Sequence, residues 1–434
     1  MMKKICLLSS MLTALALSAC AVAADISNPV FTENDLKDNV VRNVQNPTGQ
    51  LAVKVTYTAE KKVSAFLKSQ NCAFRNIWQD TLPVAAEPKT VTFYMTYQPL
   101  KLDAIDFAFK SSGKFQIIDL EANAVERDGK SYIPAATLPF SWKKPSPRHT
   151  TIKKQIPKME KGYVLLLGDS LTDNWRGKSR FDYMMQNFKV CNGGICGDRH
   201  EEVNWRVNDM AEDLKANPPA VVTFMLGTNN LSMKHHPQDI ADAMEQQILR
   251  IKTLCPEAKI ILFAIPPRGM PHRVLPIPLP GTVNPLYREL AKKYDLPYFD
   301  FSALLLDPQT GAIKADLYEN DKLHFSDKGY AEVITPFFAG AIRLVTSPNL
   351  PKDYFKAVME WEDYLTERRN AAISNLSLED LLCAEANLNY IPHHLMNVFK
   401  QLEADPNTIP ALPGEMIRQN KEEGLPLHLR KYFK

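Results

Sequence analysis

Two short blocks of this chain pair a nucleophile with a base. Gly168-Asp169-Ser170-Leu171 follows the apolar run Val164-Leu165-Leu166-Leu167, so Ser170 falls where a buried strand ends and a helix begins. Such a turn exposes the side chain and aims the free N–H groups of the next helix at incoming negative charge. A serine hydroxyl is a poor nucleophile until a base removes its proton. Asp321-Lys322-Leu323-His324 offers that base, with a carboxylate three residues before an imidazole. In a short turn the aspartate can hold one ring N–H, fix the tautomer and leave the other nitrogen to accept the serine proton.

Two further blocks supply donors for a developing oxyanion. Asn192-Gly193-Gly194-Ile195-Cys196-Gly197-Asp198 lets a backbone N–H approach a ligand with no side chain in the way. Gly227-Thr228-Asn229-Asn230 follows the apolar run Val221–Leu226 and places an amide NH₂ at a strand end. The N–H groups of Ser170 and Gly197 with the Asn229 amide would make a three-donor oxyanion hole, each donor worth roughly 2.7–4 kcal/mol. Each block also has a plainer reading: Ser170 as a helix cap, His324 as a solvated loop histidine, and the Gly/Asn blocks as ordinary turns. The chemical reading rests on their company and order.

The elements that must position these residues read as strands alternating with helices over 149–347. Strands are expected at Tyr163–Leu167, Lys189–Cys191, Ala220–Leu226, Lys259–Ala264 and Pro297–Phe299, and helices at Asp239–Cys255, Asn284–Tyr294 and Asp327–Leu344. Continuous apolar strands in such an alternation predict a parallel sheet covered on both faces, with its site beyond the C-terminal strand ends. Residues 25–148 instead alternate with period two, as in Leu51–Tyr57, Thr90–Met95 and Ile105–Phe109, which predicts an antiparallel β-sandwich, jelly-roll-like and suited to binding carbohydrate. Trp78, Tyr94, Tyr97 and Trp142 are its candidate sugar platforms or core aromatics. A Pro-rich linker, Lys143–Arg148, precedes the α/β region. A helical extension over 348–434 is marked by Tyr354, Val358, Trp361 and Leu365, with a second helix start at Ser377–Asp380.

Residues 1–24 read as a signal peptide: Lys3 and Lys4 lead an apolar stretch too short to span a bilayer permanently. Leu17-Ser18-Ala19-Cys20 matches a bacterial lipobox, which would lipidate Cys20 and anchor the chain to a membrane. The alternative is ordinary cleavage after Ala23 or Ala24. Either places the mature chain outside the bacterial cytoplasm, in the periplasm, envelope or at the surface. Of seven cysteines, Cys72, Cys191, Cys196, Cys255 and Cys383 remain beyond the leader. An odd number leaves at least one free thiol, and the spacing of Cys191 and Cys196 allows a disulfide in an oxidising compartment. No zinc-like spacing is present. A formal net charge of +3 over 434 residues supplies no dense phosphate-neutralising surface, so no nucleic-acid partner is expected.

Taken together, the four blocks resemble the SGNH, or GDSL-type, hydrolases, and within them the platelet-activating-factor acetylhydrolase α-subunits. That likeness is carried by N-x-G-I-x-G-D, by Val203-Asn204-Trp205-Arg206, by Gly227–Asn230 and by Pro267-Arg268-Gly269, over roughly residues 160–345. The resemblance implies a flavodoxin-like three-layer domain. It also implies Ser170, Asp321 and His324 as catalytic residues, Ser170, Gly197 and Asn229 as the oxyanion hole, and no metal or organic cofactor. Two departures stand out. Cys196 replaces a common glycine, and the loop from Pro266 through Pro280 carries six prolines, both ends included, with His272 and Arg273. The expected function is an exported serine esterase removing a short acyl group, such as acetyl, from a carbohydrate through an acyl-enzyme. The alternatives are a lipid esterase or lysophospholipase, and a non-catalytic glycan-binding surface lipoprotein.

Overall fold

The computed structural model describes residues 29–44, 50–69, 78–96, 105–124, 146–178, 181–232, 235–269, 280–308, 310–375 and 377–411. The leader with Cys20, and Cys72, Tyr97, Trp142, His272 and Arg273, lie outside these residues, as do the side chains of Trp78, Tyr94 and Cys383. The chain divides into two compact units, Met1–Tyr132 and Ile133–Lys434.

Among the described residues of the first unit, eight strands form two four-stranded sheets with antiparallel pairing throughout: β1 (Phe31–Thr32), β2 (Val40–Val41), β3 (Gln50–Ala59), β4 (Val63–Ser69), β5 (Trp78–Leu82), β6 (Ala85–Thr96), β7 (Ile105–Ser111) and β8 (Phe115–Ala124). One sheet runs β1-β8-β3-β6 and the other β2-β7-β4-β5. The period-two pattern decides which side is buried. Leu51, Val53, Val55 and Tyr57 of β3 turn inward, as do Leu120 and Ala122 of β8. They meet Val63 and Ala65 of β4 and Phe107 and Phe109 of β7 in one apolar cluster. Phe31 stacks on Phe107 at 5.0 Å between ring centroids, and the buried Tyr57 hydroxyl donates to the Pro83 carbonyl at 2.8 Å.

The second unit is a mixed α/β fold on a five-stranded parallel sheet: β9 (Val164–Gly168), β10 (Val190–Asn192), β11 (Val221–Met225), β12 (Lys259–Phe263) and β13 (Tyr298–Phe299), in the order β10-β9-β11-β12-β13. This is the doubly wound order that reverses beside its first strand. Almost every strand residue is buried, because both faces are covered. Leu165, Leu167, Val222, Phe224, Ile260 and Leu262 face a cluster with the helices His200–Asp209, Pro237–Leu254 and Asn284–Tyr294. Val164, Leu166, Val221, Ile261 and Phe263 face the other cluster, with helices Phe181–Phe188 and Thr335–Thr346.

The C-terminal region is helical and belongs to this unit. Helices Tyr354–Ser374 and Leu378–Ala404 send Tyr354, Val358, Leu365, Ile391, Leu395, Val398 and Phe399 into the second cluster. Phe355 and Phe399 lie 5.8 and 6.2 Å from the Phe299 ring, so the tail covers the β13 edge of the sheet. The packing at Gly340 is close enough that a Cβ there would fall 2.0 Å from the Phe399 ring. Arg288 reaches across to Glu362 at 2.8 Å and Asp363 at 2.5 Å. Cys191, Cys196 and Cys255 are free thiols. The pairing that spacing allowed between Cys191 and Cys196 is not made: Cys191 is buried on β10 in the sheet core, while Cys196 is exposed and directs its sulfur to Asn174 Oδ1 at 3.4 Å. No helix among the described residues is long and apolar enough to cross a membrane.

Candidate active site

The neighbouring strands β10, β9 and β11 end side by side, and each releases one block. After β9 the chain turns through Asp169 into the one-turn helix Ser170–Asp173. Gly168 is required there, since a Cβ would fall 2.1 Å from Thr172 Oγ1 and 2.8 Å from the Met225 carbonyl of β11. Asp169 caps the helix by accepting the Leu171 N–H at 2.9 Å. Ser170 is 7% exposed, at the first helical position, and its N–H has no acceptor among the described residues.

The fourth block lies in the turn between the short helical turn Ala315–Leu317 and Asp327, closed by a bridge from Tyr318 to Phe325. It brings His324 Nε2 to 2.8 Å from Ser170 Oγ, although the two residues are 154 positions apart. Asp321 Oδ2 lies 2.5 Å from His324 Nδ1, and its Oδ1 accepts the N–H groups of Leu323 and His324 at 3.0 Å each. Partial burial would raise the Asp321 pKa, but the His324 ring and these two N–H groups outweigh it and hold the carboxyl below its usual range. Asp321 is therefore an anion throughout the neutral range, suited to orienting an imidazole and stabilising its cation. Two contacts from the start of the Pro-rich loop brace the turn: Gly269 N–H donates to the Lys322 carbonyl at 2.8 Å, and the Tyr318 hydroxyl to the Pro267 carbonyl at 2.7 Å.

The second block folds against the Ser170 turn. Gly193 N–H donates to the Leu166 carbonyl at 2.7 Å, Ile195 N–H to the Gly168 carbonyl at 3.3 Å, and Asn192 Nδ2 to the Thr172 carbonyl at 2.7 Å. Gly197 follows with φ +84°, a left-handed conformation that favours glycine, and its N–H has no acceptor among the described residues. Asn229 joins from the β11 end: one hydrogen of its Nδ2 goes to the Asp198 carbonyl at 2.9 Å, which orients the amide and leaves the second hydrogen for the cleft. Ser170, Gly197, Asn229, Asp321 and His324 thus lie around one group of strand ends.

A buried ionic cluster supports this loop. Arg206 pairs with Asp198 at 2.6 Å, and Arg199 with Glu201 at 3.0 Å and Glu202 at 2.8 Å, all five residues at 6% exposure or less. A run reading Asp-Arg-His-Glu-Glu carries no sequence signal of burial; charges so dense are ordinarily solvated. Their pairing offsets a desolvation cost of several kcal/mol per ion. Among the described residues no group of three His, Cys, Asp or Glu side chains is arranged to hold a metal ion.

Asp169 carries a pH dependence that motif reading missed. It is fully buried, and its second carboxylate oxygen receives no donor among the described residues. Burial pushes its pKa up from 3.8 to about 7, against the opposing pull of the Leu171 N–H and His324. The folded protein therefore holds this proton more tightly than the unfolded chain. The stability it contributes is complete below 3.8 and is lost as pH rises toward about 7. Asp169→Asn keeps an oxygen to accept the Leu171 N–H and abolishes the ionisation. The variant is expected to melt higher than wild type at about pH 8, with the advantage shrinking toward about pH 5. Equal melting temperatures at both values would refute this.

Comparison with known proteins places these residues in a wider group. Residues 166–332 match the GDSL-like Lipase/Acylhydrolase family. The chain is 29% identical over 184 residues to the human platelet-activating factor acetylhydrolase IB subunit alpha2, covering 40% of this chain and 73% of that one. It is 27% identical over 192 residues to the rat subunit alpha1, covering 42% and 76%. Solved structures similar to it include a GDSL-like lipase from Bacteroides thetaiotaomicron, at 18% identity and a TM-score of 0.36 over 42% of this chain and 91% of that one. Another is AlinE4, an SGNH-hydrolase family esterase, at 19% identity and a TM-score of 0.29 over 42% and 96%. The family match runs from the strand that delivers Ser170 past the turn that carries His324, so the chain is a hydrolytic enzyme whose α/β unit is similar to the GDSL-like lipases and acylhydrolases.

Proposed function

We propose that this chain is an exported serine esterase that removes short acyl groups, acetyl foremost, from carbohydrate hydroxyls through an acyl-enzyme on Ser170. The observation that carries the catalytic part is the continuous line from Ser170 Oγ to His324 Nε2 at 2.8 Å and from His324 Nδ1 to Asp321 at 2.5 Å. Ser170 Oγ attacks the ester carbonyl as His324 Nε2 takes its proton. The oxyanion of the tetrahedral adduct is held by the N–H groups of Ser170 and Gly197 and by Asn229. His324 returns the proton to the departing alkoxide as the C–O bond breaks, leaving the acyl group on Ser170. Water then attacks the acyl carbonyl, again losing its proton to His324, and the carboxylic acid leaves as Ser170 is restored.

The short acyl group is supported by relatives that are themselves named acetylhydrolases. The polysaccharide side rests on the leader reading, with Cys20 as a lipid anchor or removed with the signal peptide, and on the N-terminal unit. There two antiparallel sheets share one apolar cluster, which supports the β-sandwich reading. Acetate release from a panel of acetylated polysaccharides and glycans, with Ser170→Ala as control, tests the whole reading. Hydrolysis of p-nitrophenyl acetate is expected to exceed that of the octanoyl and longer esters. A preference for the long chains would replace it with a lipid esterase. Failure of a fluorophosphonate to label Ser170 would replace it with a non-catalytic glycan binder.

A further inference from the structure

The helix that begins at Ser170 ends at Asp173, one turn on, and this second residue has no part in the acyl-transfer steps. Its carboxylate is nonetheless buried, with only 11% of the side chain exposed, where an unpaired charge would be costly. Two arginines neutralise it. Arg176 donates its Nε to Oδ1 at 2.9 Å and also offers Nη2 to the same oxygen. Arg148 brings Nε to 3.6 Å from the helix Pro147–Gln155, which precedes the family-matching segment.

The other oxygen of Asp173 has a different partner. Oδ2 accepts the N–H of Cys196 at 3.2 Å, across 23 positions of sequence. The next N–H along the loop is that of Gly197, and the one after it, from Asp198, is fixed by the Ile195 carbonyl at 3.2 Å. The free N–H of Gly197 is therefore bracketed by two held ones. Further contacts press the same loop onto Asp173. A Cβ at Gly194 would fall 2.5 Å from the Asp173 backbone nitrogen, and Arg148 also donates to the Asn192 carbonyl.

We propose that Asp173 is a positioning residue of the reaction, whose carboxylate ties the oxyanion loop to the helix of the nucleophile and so fixes where the Gly197 N–H points. This rests on Gly197 and Asn229 serving as oxyanion donors, as proposed above. Asp173 touches no reacting atom. It sets the distance between two elements that do, the Ser170 turn and the Gly197 turn, which otherwise belong to separate strands. The two arginines flank its Oδ1, and a charged acceptor holds an N–H about twice as firmly as a neutral one.

The test compares Asp173→Ala and Asp173→Asn in the full chain, with p-nitrophenyl acetate as substrate and active sites counted by fluorophosphonate labelling of Ser170. Counting sites makes a misfolded fraction visible as lost sites rather than lowered kcat. Asp173→Ala is expected to lower kcat per site by about 10²-fold, the scale of one lost oxyanion donor. Asp173→Asn retains a weaker oxygen acceptor and is expected to fall between, by about tenfold. KM and the shape of the pH profile are expected to stay as in wild type, because substrate binding and the Ser170–His324 pair are untouched. Should the alanine variant fail to fold, the asparagine variant decides alone. Wild-type kcat per site in both variants, or losses accounted for by missing sites, overturns the proposal. Asn229→Ala run in parallel separates the two readings. If it lowers kcat and Asp173→Ala does not, only the role of Asp173 fails. If neither lowers kcat while Ser170→Ala lowers it by about 10⁶-fold, the oxyanion reading beneath it fails.

Discussion

His324→Ala is expected to lower kcat on p-nitrophenyl acetate by about 10⁶-fold, the scale seen when a base is removed from a nucleophile that depends on it. The structure gives the reason. Ser170 Oγ lies at hydrogen-bond distance from His324 Nε2, and without the ring its proton has only solvent to go to. Ser170→Ala is expected to cost as much, and the double variant no more than either alone, because the two residues act in one step. A residual rate of about 10³–10⁴ over water should survive in all three, supplied by the oxyanion donors. Asp321→Asn keeps the turn's shape but offers the ring an amide in place of a carboxylate. It is expected to cost about 10⁴-fold, through the wrong tautomer and an unsupported imidazolium. Thermal melting should hardly move in the histidine variant, since His324 and Asp321 both retain contact with solvent. An activity in His324→Ala within tenfold of wild type would mean that another group takes the serine proton.

What the sequence makes legible here is local. Ser170 behind an apolar strand, and His324 three residues after Asp321, each mark a candidate role within one turn of chain. The periods of the flanking segments place the five parallel strands to within a residue or two. Asn284–Tyr294 is a helix over the bounds its pattern implies, and Lys259–Phe263 is a strand one residue shorter than expected. What escapes is whatever depends on partners far away in sequence. Asp173 reads as an ordinary polar residue in the first turn of a helix, because Cys196 and Arg148 are 23 and 25 positions distant. Arg199, Glu201 and Glu202 carry no sequence signal of burial, yet with Asp198 and Arg206 they lie buried and ion-paired beside the Gly193–Gly197 loop. Asp169 is visible as a member of the Gly-Asp-Ser block, but its burial, and hence its raised pKa, follows only once β11 packs alongside β9. Charge pairing and desolvation are properties of the assembled fold, and periodicity does not encode them.

Asn229→Ala is expected to lower kcat by about 10²–10³-fold with KM near its wild-type value. That split follows from when the interaction is made. The ester carbonyl of the bound substrate carries little charge, whereas the tetrahedral adduct carries a full one, so a donor aimed at the adduct strengthens in the transition state alone. Asn229 is prepared for this because its amide does not have to reorganise. One Nδ2 hydrogen is already committed to the Asp198 carbonyl at 2.9 Å, and Asp198 is itself fixed by its N–H, which donates to the Ile195 carbonyl at 3.2 Å. The same bond has a structural share, about 0.5–1.5 kcal/mol of stability for a typical intramolecular hydrogen bond. A small fall in melting temperature is therefore expected alongside the loss of rate, and kcat per fluorophosphonate-labelled site separates the two. Asn229→Asp sharpens the test. It preserves size and removes the donor, while placing a negative charge beside the developing oxyanion, so its kcat should fall below that of the alanine variant at neutral pH. If both variants keep wild-type kcat per site, Asn229 has no part in stabilising the adduct, and its amide serves only to hold the Asp198 turn.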